Sequence, residues 1–459
     1  MMRLVTTEPS YGISQPRIGE LMERERRTFA HAHPRSRSLF DRSRHSLLGG
    51  VPMHWMAKWP GGFPVVVEEA NGAHFTCVDG HEYVDLCLGD TGAMTGHGPA
   101  ASIAAISAQL RRGMTTMLPT EDAPLVGEEL TRRFGLPYWQ FALTATDANR
   151  FALRLARHIT GRTTVLVYDY CYHGTVDESF ATLDANGVVR ARHGNIGPPV
   201  DPSATTRVVE WNDVESLEAA LADGQVAAVL AEPAMTNIGI IHPEPGYHAA
   251  LSNLTRRHGT VLILDETHTL CAGPGGCTRA WDLDPDMLVI GKAIAGGLPA
   301  AAYGMSAKLG ERLHIDLETS DVGGIGGTLA GNALSLAAMR ATLLEVLTEE
   351  AFASMTRLAE RWTDGVATAI GEAGLTWHVT RLGARAEYLF GPTRPRNGRE
   401  AAAIDDFALQ QLTHLYALNR GILLTPFHNM ALMSPATTER DVDDHTAVFV
   451  QMAGELTAH

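Results

Sequence analysis

Several short apolar runs in this chain stop abruptly at a polar or charged residue. Residues 261–264 read Val-Leu-Ile-Leu and lead into Asp265 and Glu266; residues 287–290 read Met-Leu-Val-Ile and lead through Gly291 into Lys292. Unbroken runs of this length suit parallel strands covered on both faces, so each predicts a buried strand with a polar residue at its carboxyl end. Residues 163–168 (TTVLVY) predict another such strand, followed by Tyr172, His173 and Gly174, and residues 226–230 a fourth, followed by Glu232 and Pro233. Where the pattern alternates, at 65–67 and 74–78 with Asp79 and Gly80 as a turn before EYVDL, it predicts a hairpin.

Helical spacing fills the intervals. Residues 20–27 (ELMERERR) predict an exposed helix, in an arm expected to pack on a partner subunit, and residues 31–38 (HAHPRSRS) a loop. Ile103, Ile106 and Leu110 recur at the spacing of one buried helix face. Residues 333–349 predict one long helix leaving a larger domain, and helices near 352–372 and 401–418 fall in a smaller α+β domain. Residues 182–201, rich in polar residues and glycine, predict a long loop. At 459 residues the chain exceeds a single typical core, so two domains are expected.

The net charge of −15 argues against a nucleic-acid groove or an anionic membrane surface as partner. Five cysteines, an odd number without a CxxC or metal-type spacing, favour a reduced, cytoplasmic setting with no metal. MMRLVTTEPSYG lacks the layout of a signal peptide, and no apolar run is long enough to span a bilayer. A soluble enzyme acting on small molecules is the expectation.

In open α/β sheets ligands sit just beyond the carboxyl ends of the strands, which is where Asp265 and Lys292 are expected to meet. A lysine can hold an aldehyde as a Schiff base, and a carboxylate facing a pyridine nitrogen keeps it protonated, so the pair points to pyridoxal phosphate chemistry. Taken singly, Lys292 reads as a surface lysine and Asp265 as a helix cap; the glycines of GKAIAGGLP, which let backbone pass close to a ligand, favour the paired reading. GGIGG fails the GxGxxG dinucleotide spacing, and GKA fails the P-loop pattern.

DETHT at 265–269 followed by GKAIAGGLP at 291–299 resembles the class III pyridoxal-phosphate aminotransferases of fold type I, particularly the branch that includes glutamate-1-semialdehyde aminomutase. The likeness runs from about Val51 to the C-terminus, with the motifs in the family's order. It implies an α/β large domain with a mostly parallel central sheet flanked by helices, over 73–340. It also implies a smaller α+β domain from residues 1–72, which include the arm, and 341–459. Lys292 would carry the cofactor and Asp265 face its ring nitrogen, with Thr267 beside them. TATDAN at 144–149 stands at the family's SGTEAN, so Ala145 and Thr146 would receive the phosphate at a helix N-terminus, Ala145 bringing a methyl group where the family has glycine. Asp147 stands for the family's glutamate. Tyr172 would stack on the ring with His173 next to it, and Thr328, in GGTLAGN, would reach the phosphate of the neighbouring subunit, making the site a property of a homodimer.

On the substrate side the resemblance offers Glu232, and either Arg381 or Arg385 for a carboxylate. Trp55 or Met56 stands where the aminomutase has an arginine, a change that removes a bidentate carboxylate clamp. The implied activity is amino-group transfer from an amine or amino acid to a 2-oxo acid, aldehyde or ketone, with Lys292 moving the proton between substrate and cofactor. An aminomutase or amino-acid racemase is the same-fold alternative, and a cofactor-binding regulator without turnover the alternative from another class.

Overall fold

The computed structural model describes residues 13–194, 196, 201–319, 323–425 and 427–458; the N-terminal stretch 1–12, part of the 182–201 segment and Asp321 lie outside it. Residues 1–98, 354–394 and 404–459 form one unit, and residues 99–353 with 395–403 form another. Residues 73–98 stay with the first unit, where Gly72 and His97 bridge and His97 Nε2 lies 2.8 Å from Asp85 Oδ2.

The first unit opens with α1 (Gln15–Ala32) and α2 (Pro34–Ser43). The arm is not a wholly exposed helix: α1 buries Ile18, Leu21, Met22 and Phe29 and packs on helix Phe407–Leu418 of its own chain. Glu25, buried on that face, accepts from Asn419 Nδ2 at 2.7 Å and Arg420 at 3.0 Å. The expected loop is α2, because Pro34 stands in the first turn, where the missing N–H costs nothing. Strands β1 (Val67–Asn71), β2 (His74–Cys77) and β3 (Glu82–Asp85) form an antiparallel meander. Its first strand is the exposed VEEAN rather than the apolar 65–67.

In the second unit α3 (Ala100–Leu110) and α4 (Asp122–Phe134) precede β4 (Tyr138–Ala142) and α5 (Ala145–Thr160). There follow β5 (Thr164–Tyr168), a small hairpin of β6 (Ala181–Leu183) and β7 (Val189–Ala191) inside the expected loop, β8 (Thr206–Val209), β9 (Val226–Ala231), β10 (Val261–Asp265), β11 (Met287–Ile290) and β12 (Ala301–Met305). The central sheet has the order β4-β12-β11-β10-β9-β5-β8, and only β12 runs against the rest. Every residue of β9, β10 and β11 is buried, as the unbroken apolar runs require. Each Val, Leu or Ile so placed contributes roughly 1.5–3 kcal/mol, which makes the sheet a stiff platform for what stands at its carboxyl edge.

Helix α3 departs from expectation. Ile103 and Leu110 are exposed, and the buried face carries Ser102 and Gln109. Both polar groups are satisfied, Ser102 by Thr342 Oγ1 at 2.9 Å and Gln109 by the Gly113 carbonyl at 2.7 Å, so a small-residue face packs closely on helix Ala333–Ala341. The long helix expected over 333–349 ends as a π turn at Thr342–Val346 before a new helix, Glu349–Glu372. Returning to the first unit, β13 (His378–Leu382), β14 (Arg385–Leu389) and β16 (Met430–Leu432) form one antiparallel sheet, and β15 (Ile422–Leu423) joins β3 in parallel.

Candidate active site

Because β4, β5, β9, β10 and β11 run in one direction, the residues just past their ends share one edge of the sheet. These are the start of α5, Tyr172 and His173, Glu232, Asp265, and Lys292.

Asp265 is buried and accepts from every side. Its Oδ2 takes hydrogen bonds from Asn149 Nδ2 at 2.8 Å and His173 Nδ1 at 2.9 Å, and its Oδ1 from the Thr267 amide at 3.0 Å. Burial pushes its carboxyl toward the neutral form, but the donors, His173 first, outweigh that and hold it below the ordinary value. For His173 burial again favours the neutral ring, yet neighbouring Cys171 and Asp265 prevail and hold the imidazole up to about 10. At neutral pH this edge therefore presents a carboxylate backed by a cationic ring. Among the described residues, His173 Nε2 is buried with no hydrogen-bond partner.

Asp265 contributes stability above about pH 4, and that share is lost as acid carries it through its lowered value; His173 contributes fully below about 6.5, and its share is lost as the pH rises. The loss on the alkaline side runs from 6.5 to about 10. Thermal melts of the cofactor-free protein are expected to show a lower Tm at pH 9.5 than at pH 6, with the difference shrinking in His173→Gln.

Glu266, one residue on, does something else. Wholly buried, it accepts from the amides of Cys277 at 3.1 Å and Thr278 at 2.5 Å and from the hydroxyls of Thr269 and Thr278. It anchors the short helix Gly276–Ala280 and so fixes the loop that follows β10.

At α5, Thr144 caps the helix by accepting from the Asp147 amide at 3.2 Å and donates to the Asp147 carboxylate at 3.0 Å, which accounts locally for Asp147. The first amides of a helix have no intrahelical acceptor, so those of Ala145 and Thr146 suit an anion. The Ala145 methyl is housed against Gly291: a Cβ built there would lie 3.0 Å from it and 3.3 Å from the Ala145 nitrogen. The Thr146 hydroxyl accepts from the Thr175 amide at 3.0 Å and keeps its own proton to donate. Gly174, at φ +73°, leaves room for that hydroxyl, since a Cβ there would stand 2.1 Å from it. Gly174→Ala is expected to cost about 1–3 kcal/mol in denaturant melts and, by displacing Thr146, to weaken cofactor binding at least about tenfold.

Lys292, half-buried, has φ +53°, a left-handed conformation that a non-glycine residue keeps only when its surroundings impose it. Its Nζ lies 2.8 Å from His268 Nε2. Glu232 is buried and accepts from the Thr236 amide at 3.4 Å and from its hydroxyl.

The family model for aminotransferase class-III matches residues 55–447. The chain belongs to that family. It is similar to glutamate-1-semialdehyde 2,1-aminomutase from Desulfitobacterium hafniense, at 31% identity over 89% of this chain and 95% of that one. Among solved structures it is similar to a glutamate-1-semialdehyde-aminomutase from Pseudomonas aeruginosa PAO1, at 52% identity, TM-score 0.95, and coverage of 97% and 100%. A lysine-to-alanine variant of that protein, in complex with PMP, matches at 51% identity, TM-score 0.95, and the same coverage. Fold type I and pyridoxal phosphate follow for this chain, a class III enzyme. The residues present fit the cofactor: a helix N-terminus and a hydroxyl with a proton to give for phosphate, an ionised buried carboxylate for the ring nitrogen, and a lysine amine.

Ala145, Thr146, Tyr172, His173, Asp265, Thr267 and Lys292 therefore share one edge, as do Asp147 and Glu232. Thr328 is exposed on the loop before helix Ala333–Ala341. Trp55, Arg381 and Arg385 belong to the first unit. There the Trp55 ring packs edge-on against Phe427 at 5.5 Å, and Arg381 pairs with Glu360 at 3.0 Å. Arg385 is fully buried, 3.6 Å from Glu387, whose other oxygen lies 3.5 Å from His428. Asn149 and His268 went unassigned in the sequence reading. The former has a legible signal, an amide at a buried position of an amphipathic helix, whereas the latter has none beyond its place in DETHT.

Proposed function

We propose that the protein moves an amino group between neighbouring carbons of a single substrate, as an aminomutase, with glutamate 1-semialdehyde as the first compound to test. Similarity at 52% identity across nearly the whole of a protein described as such an aminomutase carries this reading over the intermolecular aminotransferase expected from sequence. Both activities use one set of groups and differ in whether the oxo compound stays bound.

When bound, pyridoxal phosphate supplies an aldehyde carbon for amines and a ring that accepts the electron pair left behind as a proton departs. Lys292 would hold the cofactor at rest, and once freed its Nζ would take the proton from one substrate carbon and return it at another position. Asp265 keeps its charge because Asn149, His173 and Thr267 all donate to it, so it holds the proton on the ring nitrogen. The amides of Ala145 and Thr146 would hold the phosphate, and Tyr172 would supply an aromatic face for the ring. The resemblance offers Arg381 or Arg385 for a substrate carboxylate, and Arg385, fully buried 3.6 Å from Glu387, is the first to test. Arg385→Lys is expected to raise KM for a carboxylated substrate about tenfold while kcat changes less; an unchanged KM removes Arg385 from that role.

A homodimer belongs to the same reading. Ile103, Leu110, Met114, Met117, Leu118 and Leu125 are all exposed in the single chain, an apolar stretch that a second copy would cover. Sedimentation of the holoenzyme should show the dimer; a monomer would exclude a site completed by Thr328 of another copy.

The activity test follows an isotopically labelled amino nitrogen in glutamate 1-semialdehyde. Retention of label in an isomer, without added acceptor, supports the aminomutase. Turnover only when an amine donor is paired with pyruvate or 2-oxoglutarate would replace it with the transaminase.

A further inference from the structure

One polar contact of the lysine, to His268, lies outside the groups assigned to the cofactor. We propose that His268 is a positioning residue that accepts a hydrogen bond from the Lys292 ammonium and thereby raises the basicity of the lysine amine. This inference rests on Lys292 being the cofactor's lysine for its catalytic meaning, though not for its test.

Both ends of the 2.8 Å contact are pinned by the fold. On one side, Thr267 donates its amide to Asp265 at 3.0 Å and Leu270 donates its amide to the Glu266 carbonyl at 2.9 Å, closing the turn that carries His268. The Glu266 carboxylate then ties that turn to the helix Gly276–Ala280. On the other side, Lys292 starts a short 3-10 turn whose next three residues, Ala293, Ile294 and Ala295, are buried. A flexible lysine on a mobile loop would not be held this way.

An ammonium has no acceptor and a neutral imidazole has one, so the contact is an ammonium donating to a neutral imidazole. The ring then carries its own proton on Nδ1, and Nε2 is the acceptor. When Lys292 takes a proton from a substrate carbon, the positive charge that appears on Nζ meets an acceptor already in place. When the nitrogen is neutral, a protonated Nε2 can donate to it, so the proton moves between Nζ and Nε2 with no change in total charge. The other ionisable groups at this edge have donors of their own: Asp265 has Asn149, His173 and Thr267; Glu266 has Thr269, Cys277 and Thr278; Glu232 has Thr236. Protonation of the imidazole in acid removes the acceptor and sets a like charge beside the ammonium.

The chain contains three lysines, Lys58, Lys292 and Lys308, so acylation of each can be followed by peptide mass spectrometry. The cofactor-free full chain would be acylated with acetic anhydride across pH, as wild type, His268→Phe and His268→Gln. Loss of the acceptor in His268→Phe should lower the midpoint of Lys292 reactivity by about one pH unit, leaving Lys58 and Lys308 unchanged, while His268→Gln, which keeps an acceptor, should stay close to wild type. Coincident wild-type and His268→Phe midpoints would overturn the proposal. In the holoenzyme, kcat should fall in acid with a limb near ~6.5 that His268→Gln lacks; a limb unchanged in that variant would overturn it even if His268→Phe failed to fold. Reduction with borohydride that left no cofactor mass on Lys292 would defeat the functional reading and leave the acylation result standing.

Discussion

Lys292→Ala is expected to reduce turnover roughly 10⁴-fold while the protein still binds pyridoxal phosphate. The loss combines two functions of one nitrogen: the covalent hold on the cofactor and the transfer of the substrate proton. What remains is the binding apparatus: the α5 amides, the Thr146 hydroxyl, fixed by the Thr175 amide, and the Asp265 carboxylate, fixed by Asn149, His173 and Thr267. Alanine also removes the long side chain from a residue at φ +53°, without relieving the positive φ, so no gain in stability is expected. Borohydride reduction followed by mass spectrometry checks the covalent part, and single-turnover kinetics with an added small amine checks the proton part. If the alanine variant kept activity within tenfold of wild type, the proton would have to travel by another base.

The parts of this site legible in sequence were those written by burial. The runs at 261–264 and 287–290 are unbroken because the strands are covered on both faces, and the first polar residue after each is therefore a residue at the sheet edge. The apolar pattern alone does not separate Asp265 from Glu266, which the family resemblance does: Asp265 accepts from Asn149, His173 and Thr267, while Glu266 anchors a helix 10 residues on at Gly276. Nor does that pattern place His268, whose partner is 24 positions away and reached only through a turn. Helix α3 shows the opposite failure. Its apolar spacing was real, but the single chain buries Ser102 and Gln109, whose polar groups are satisfied by Thr342 and the Gly113 carbonyl. The missed α2 reflects a proline treated as a breaker at the one place in a helix where it is favoured. In each case local pattern reported that a face or an edge exists, and tertiary contact decided what met it.

Asp265→Asn should lower kcat about 10²–10³-fold and destabilise the cofactor-free protein by about 3 kcal/mol. The amide keeps the shape of the carboxylate, so the effect isolates charge and hydrogen-bond polarity. Three donors converge on Asp265, from Asn149, His173 and Thr267. An asparagine oxygen can serve one side, but its NH₂ must then face a donor on the other, leaving a buried group unmet. His173, which the pair holds up to about 10, loses the carboxylate that helps keep it charged, and complete burial then favours the neutral ring. A neutral amide also cannot hold a proton on the ring nitrogen, so the electron-accepting power on which proton removal depends declines with it. The double variant with His173→Gln separates the two effects: because the residues share a hydrogen bond, their stability costs should be less than additive, by about 1 kcal/mol or more. Additive costs, or a kcat for Asp265→Asn within threefold of wild type, would show that Asp265 is a structural acid and that the ring nitrogen finds its counter-charge elsewhere.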